Sequence, residues 1–177
     1  MATEETTLDR DRQSPMTDAQ QRALRAMMGH FATGVTIVAA RHGPLLAGMT
    51  ANAIATISID PPLLMASVNR RSETHIAIVG SHSFAVSILS AGQQELAECF
   101  AQPTSAEKLR RFCDAAWHEA ESGSPILDGA IAYFDCRVTD RYDHGTHTMF
   151  IGEIVAGGYD ASVEPLIWFG SSYRRLR

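Results

Sequence analysis

The chain has 177 residues, 45% of them apolar, and carries 15 Lys and Arg against 20 Asp and Glu, a formal net charge of −5. That length makes one domain with a core of its own, and an acidic balance with scattered basic residues argues against nucleic acid as a partner. No stretch reaches the roughly 18 apolar residues of a membrane span, and the opening MATEETTLDRDRQSP lacks the apolar heart of a secretion signal, so a cytoplasmic location is expected.

Residues 1–15 are polar and free of aromatics, and are read as a disordered tail before a domain over 16–177. Thr17 with Gln20 makes a capping box, and Leu24, Met27, Met28 and Phe31 follow at i, i+3, i+4 and i+7, which predicts an amphipathic helix ending near Gly29. From Val35 the pattern turns β-branched: VTIVAA, the turn RHGP, then LLAGMTANAIATISI, the first two strands forming a hairpin. After Asp60-Pro61-Pro62 the run LLMASV is short enough for a strand buried on both sides. Thr74 to Val79 reads as a brief helix with Ser72 or Thr74 as N-cap and Gly80 ending it.

SFAVSIL is a further strand, and Ser90 with Gln93 forms a second capping box opening a helix through Leu96 and Phe100 to about Ala101. Residues 103–124 are polar and read as a short helix plus loops. Then AIAYFDCRVTD, the turn YDHGTH, TMFIGEIVAGG and PLIWF alternate or run apolar at strand length. Strands outnumber helices and most are joined by hairpin-length turns, which predicts a mainly β fold with an antiparallel sheet closed or nearly closed into a barrel. Cys99, Cys113 and Cys136 are odd in number and widely spaced, fitting neither a zinc ribbon nor a disulfide framework, so three reduced thiols used in packing are expected.

Few motifs carry chemistry. GPLLAGMT (Gly43 to Thr50) matches a phosphate-loop template except at Met49, where the template needs Lys, and it leads into a strand, so a nucleotide triphosphatase is excluded. His144 and His147 give at most half a metal-ligand set, and nothing nearby completes it, so no metal is expected. NRRSET (Asn69 to Thr74) follows a strand and opens a helix, where free backbone N–H groups, hydroxyls and guanidinium groups can converge on a phosphate. Capping by Ser72 with solvated arginines is an equal alternative. In MTANA, period two puts Thr50 and Asn52 on one face and Met49, Ala51 and Ala53 on the other. The alanines would let a flat ligand lie close to the backbone, or would simply serve tight sheet packing.

Taken together, FATGVTIV (Phe31 to Val38), GMTANA (Gly48 to Ala53), DPPLL (Asp60 to Leu64), NRRSET, FAVSILS (Phe84 to Ser90), HTMFIGEIV (His147 to Val155) and PLIWFGSSYRRL (Pro165 to Leu176) resemble the flavin reductase family in its order of segments. These enzymes are the small reductase components of two-component flavin-dependent monooxygenases. The resemblance implies an FMN-binding split β-barrel of Greek-key type, a homodimer with flavin near the subunit interface, FMN or FAD as cofactor and NADH or NADPH as co-substrate. It implies that reduced flavin passes to an oxygenase component. It also implies roles: Thr50, Ala51, Asn52 and Ala53 on the flavin ring, Ser67, Val68, Asn69 and Arg70 along the ribityl chain, and Ser72 and Thr74 on the phosphate. Phe100 joins the cofactor contacts. Arg111-Phe112 stands where relatives carry a Lys-Phe pair five residues ahead of a Trp, here Trp117, which makes Arg111 a phosphate contact. His147 would act beside the nicotinamide as the catalytic residue, with Tyr173 near the same face. Many relatives place a bulky aromatic or a serine after the TAN motif, where this chain has Ala53-Ile54. A non-catalytic flavin-binding electron carrier or sensor on the same fold is the alternative, separated by NADH turnover.

Overall fold

The computed structural model describes residues 15–102, 107 and 111–176. The tail expected over 1–15 therefore lies outside the described residues except for Pro15, as does most of the helix expected after residue 103. The chain opens with α1 (Asp18–Met28), capped as predicted: Gln20 N–H donates to Thr17 Oγ1, the Gln20 side chain accepts from Thr17 N–H at 3.0 Å, and Gly29 ends the helix. Among the described residues nothing fully buries its predicted apolar face, of which Leu24 is half-buried. No α1 residue is buried, and Met28 and Phe31 are 66% and 76% exposed.

Then come β1 (Thr33–Gly34), β2 (Thr36–His42), β3 (Leu45–Ala51), β4 (Ile54–Ile59) and β5 (Pro62–Asn69). β2 and β3 form the predicted hairpin. The run expected as one strand over LLAGMTANAIATISI is two. It breaks at Asn52-Ala53, and β3 and β4 stand at opposite edges of a seven-stranded antiparallel sheet. A two-residue connection spans roughly 10 Å, so the sheet must curl until its edges meet. Closure, and not local propensity, breaks the strand there, and Ser67 N–H donates to Ala53 C=O at 3.0 Å across the corner. β5 is buried on one face only: Leu64, Ala66 and Val68 are core, while Leu63, Met65, Ser67 and Asn69 are half-buried. That corrects the expectation of a strand covered on both sides.

α2 (Glu73–Ser81) takes Ser72 as its N-cap, with Ser72 Oγ accepting from His75 N–H at 3.1 Å. Gly80 lies inside the helix and does not end it. A Cβ there would stand 2.6 Å from the His42 ring, and the left-handed His82 (φ 56°) closes the helix instead. β6 (Ser83–Ile88) leads to a one-turn 3₁₀ segment, where Ser90 N–H donates to Gln93 Oε1 at 3.0 Å as the second capping box requires, and to α3 (Gln94–Phe100). β7 (Trp117–Glu119) and β8 (Pro125–Leu127) form a small hairpin that the polar composition of this stretch concealed.

β9 (Ala132–His144) and β10 (His147–Tyr159) run 13 residues each and are joined by Gly145-Thr146 alone, so the turn is shorter than YDHGTH; Gly145 supplies the positive φ of 56°. β11 (Ile167–Phe169) and β12 (Ser172–Arg174) complete a three-stranded sheet with β1, and the large sheet runs β3-β2-β6-β9-β10-β5-β4. This is the split barrel of antiparallel strands. Two apolar clusters fill it. One joins Val38, Leu64, Val68, Phe84 and Phe150 with Ile78 of α2, and the other joins Ile37, Leu89, Phe100, Phe112 and Leu166 beside α3. β2 feeds both, with Val38 and Ala40 in the first cluster and Ile37 and Ala39 in the second.

The cysteines depart from expectation. Cys99 and Cys113 form a disulfide and only Cys136, buried, is free. Fourteen residues separate the pair, but Phe100 and Phe112 pack edge to face at 4.9 Å and draw the two segments together, bringing the Cα atoms to 6.1 Å. The turn at Phe112, Cys113 and Asp114 holds three successive left-handed φ angles of 51–55°.

Candidate functional site

A cavity of about 520 Å³ opens between β3, the start of α2, the end of α3 and the β11–β12 pair, within the roughly 300–1,000 Å³ of cofactor-sized sites. β3 supplies its floor. Ala47, Gly48 and Ala51 carry little or no side chain, and Gly48 is held to that by the rings behind it: a Cβ would meet Phe100 Cε1 at 2.9 Å and Phe112 Cε2 at 3.1 Å. Trp168 and Tyr173, directly opposite each other on β11 and β12 with ring centroids 5.0 Å apart, make another wall. Burial, reinforced by Glu98, pushes the Tyr173 phenol up, so it remains a hydrogen-bond donor at neutral pH.

The polar end is the start of α2. Asn69 organises it: its side chain accepts from Arg71 N–H at 2.9 Å, and its carbonyl accepts from Ser72 N–H at 3.0 Å and Ser72 Oγ at 2.7 Å. The Ser72 hydroxyl therefore spends its proton inside the turn while capping the helix. Thr74 differs. It is 1% exposed and lines the cavity, and its hydroxyl makes no hydrogen bond to any described residue. The hydroxyl opens onto the cavity, so it is available to a ligand there. With the helix N-terminus beside it, that ligand end is an anion.

The structure brings together Thr50, Ala51, Asn52, Asn69, Ser72, Thr74, Phe100 and Tyr173 of the sequence-derived set, all on the cavity wall. Thr50 Oγ1 is engaged structurally, donating to Ala97 C=O at 2.6 Å, which ties β3 to α3. Ala53 stands just past the wall at the corner. Ser67 and Val68 lie outside it, Val68 wholly in the core. Arg70 turns away toward Asp143 at 4.0 Å, and its neighbour Arg71 lines the cavity instead. Arg111 also lies off the wall, exposed and bonded through Nε to Asp114 at 3.0 Å. His147 starts β10 directly across from Asn69 and bonds Thr146 Oγ1 at 2.8 Å, outside the cavity formed by one chain. Trp168, Gln102 and Glu73 are lining residues that the sequence reading did not select. Cross-strand register would have given Trp168 from Tyr173, but that register is known only once β11 and β12 are paired.

Beneath α2, Thr148 is fully buried and donates to Asp143 Oδ1 at 2.5 Å, so its oxygen accepts from His75 Nε2, 2.9 Å away. The Thr148 hydrogen bond holds the Asp143 carboxyl below its usual range, while burial lowers His75 and keeps it neutral near pH 7. This chain links the hairpin that carries His147 to the helix that lines the anion end.

Comparison with known proteins identifies a flavin reductase like domain over residues 28–177. The chain is 34% identical over 154 residues to an NADH-dependent FAD reductase of Streptomyces globisporus, covering 86% of this chain and 84% of that one. It is 40% identical over 131 residues to the reductase component of a 4-nitrophenol 4-monooxygenase/4-nitrocatechol 2-monooxygenase of Rhodococcus opacus, covering 74% and 68%. Among solved structures, an NADH:FAD oxidoreductase of Streptomyces globisporus in complex with NAD and FAD fragments superposes with a TM-score of 0.81 at 32% identity, covering 93% of this chain and 98% of the other.

Proposed function

Because the chain belongs to the flavin reductase like family, we propose that it is an NAD(P)H:flavin oxidoreductase that reduces FMN or FAD and hands the reduced flavin to a partner monooxygenase. The observation that carries this reading is the cavity itself: the small residues Ala47, Gly48 and Ala51 line it along β3 beside Met49 and Thr50, and the Thr74 hydroxyl, which bonds no described residue, stands at a helix N-terminus. The first feature suits a planar ring and the second a phosphate, so the residues fit a flavin nucleotide.

When bound, flavin supplies the redox chemistry, accepting a hydride at N5 from nicotinamide C4. The chain's own residues bind and orient. Thr50 to Asn52 hold the ring edge through the end of β3, Asn69 shapes the turn, and Thr74 with the first N–H groups of α2 holds the phosphate. Trp168 and Tyr173 exclude water from one wall and offer a phenolic donor. No strong acid or base is required, because hydride transfer between stacked rings depends chiefly on proximity and alignment.

The active unit is a homodimer. The outer face of β5 and β10 presents Met65, Met149 and Ile151 half-buried, with Ser67 opposite Met149 and His147 opposite Asn69, so this apolar face runs from the sheet to the cavity mouth. The exposed Met27, Met28 and Phe31 offer a second surface to cover. A dimer built on this face would carry His147 to the nicotinamide side, and His147→Ala that left turnover and KM for NADH unchanged would remove that role. The protein acts in the cytoplasm, where nicotinamide nucleotides are at hand; no described helix is long and apolar enough to cross a membrane.

The test is purified protein with NADH and excess FMN or FAD, followed by nicotinamide absorbance. Many turnovers per chain are expected. Saturable flavin binding with no turnover would replace the reductase by an electron carrier.

A further inference from the structure

Among the described residues, two charged side chains line the cavity, Arg71 and Glu73, and their charges are opposite. Glu73 is the first residue of α2, directly after the Ser72 cap and one position before Thr74, and it makes no hydrogen bond or ion pair with any described residue. The motif's other arginine, Arg70, does not restore the balance, since it faces Asp143. Charge-assisted bonds from cations strengthen the hold on a phosphate. Here a carboxylate stands beside Thr74, at the end where the phosphate is held, and opposes the ligand's charge.

We propose that Glu73 sets the affinity of the site for the phosphate-bearing flavin, keeping it weak enough that reduced flavin leaves. The inference rests on the flavin reading above and names the residue that makes the flavin a shuttling substrate instead of a fixed prosthetic group. In the empty protein Glu73 is favourable, because a carboxylate in the first turn complements the helix dipole. Once a phosphate occupies the same dipole end, the two anions compete for it, and their repulsion in a half-enclosed cavity is larger than in bulk water. The penalty falls on FMN and spares riboflavin, whose ring and ribityl chain are identical but uncharged. Affinity is thereby tuned through the tail alone, and the stacking geometry needed for hydride transfer is left untouched.

The experiment compares Kd for oxidised FMN and for riboflavin, by quenching of flavin fluorescence, in the wild type, Glu73→Gln and Glu73→Lys at low and high salt. Glu73→Gln is expected to tighten FMN roughly five- to tenfold and to leave riboflavin within about twofold, with the gain shrinking at high salt. Glu73→Lys tightens FMN further. Under excess flavin, kcat for NADH oxidation falls as FMN release slows, while kcat with riboflavin is unchanged. Equal changes for both flavins, no change, or looser FMN in Glu73→Gln would each overturn the proposal and leave Glu73 a helix-dipole residue, visible then only as a lower thermal midpoint. If the wild type binds neither flavin, the flavin reading falls, and this inference with it.

Discussion

Replacing Thr74 by Val removes one oxygen from the cavity wall and nothing else. Thr74 is 1% exposed, and no described residue accepts from or donates to its hydroxyl, so the substitution breaks no internal hydrogen bond. In the free protein the hydroxyl faces the cavity, where water can meet it, so a methyl group in its place changes the stability of the fold little. The thermal midpoint of Thr74→Val without flavin is therefore expected to stay level. A hydrogen bond from the same hydroxyl to a phosphate oxygen is charge-assisted and contributes about 1.5–3 kcal/mol, so FMN affinity should fall about 10- to 150-fold. Riboflavin has no phosphate and should be unaffected. The assay is a pair of flavin titrations with a thermal melt of the apo protein. A variant that melts lower, or that loses FMN and riboflavin alike, would refute the reasoning and return Thr74 to the core.

Gly152→Ala would place a Cβ 2.8 Å from both Cys136 Cβ and the Phe84 ring in the barrel core, and should destabilise by about 1–3 kcal/mol; an unchanged denaturation midpoint would contradict the packing. His75 has a folded pKa below its ordinary 6.5 through burial. A lowered histidine contributes stability that is full above pH 6.5 and lost as pH falls toward the folded value, because protonation then favours the unfolded chain. The melting midpoint should thus drop on acidification from pH 7, and His75→Gln should flatten that slope; an identical slope would show that other groups cause it. Cys136 is pushed up to about 12 by burial, then by Asp135, and Cys99 is tied to Cys113. A thiol reagent at pH 8 should therefore find no reactive group in the native protein, one after unfolding, and three after unfolding with reductant; two or more in the native state would rule out the disulfide.

What local chemistry dictates was legible in the sequence. Both capping boxes, the hairpin at His42 to Leu45, the strand periods and the helix after Asn69 depend on neighbours within a few residues, and the run of seven family segments carried the fold and the chemistry. The cavity and its assignments needed more. Asn52-Ala53 has no turn signal, because the break comes from two sheet edges meeting. Arg70 and Arg71 are indistinguishable as letters, and only Asp143 on a distant hairpin decides which one leaves the cavity. Cys99 and Cys113 pair because Phe100 packs on Phe112, a contact between segments that no spacing encodes. Gly80 resembles a helix stop until the His42 ring is placed against it. In each case the deciding partner lies far along the chain, so its influence exists only after the barrel has closed and brought the two surfaces together.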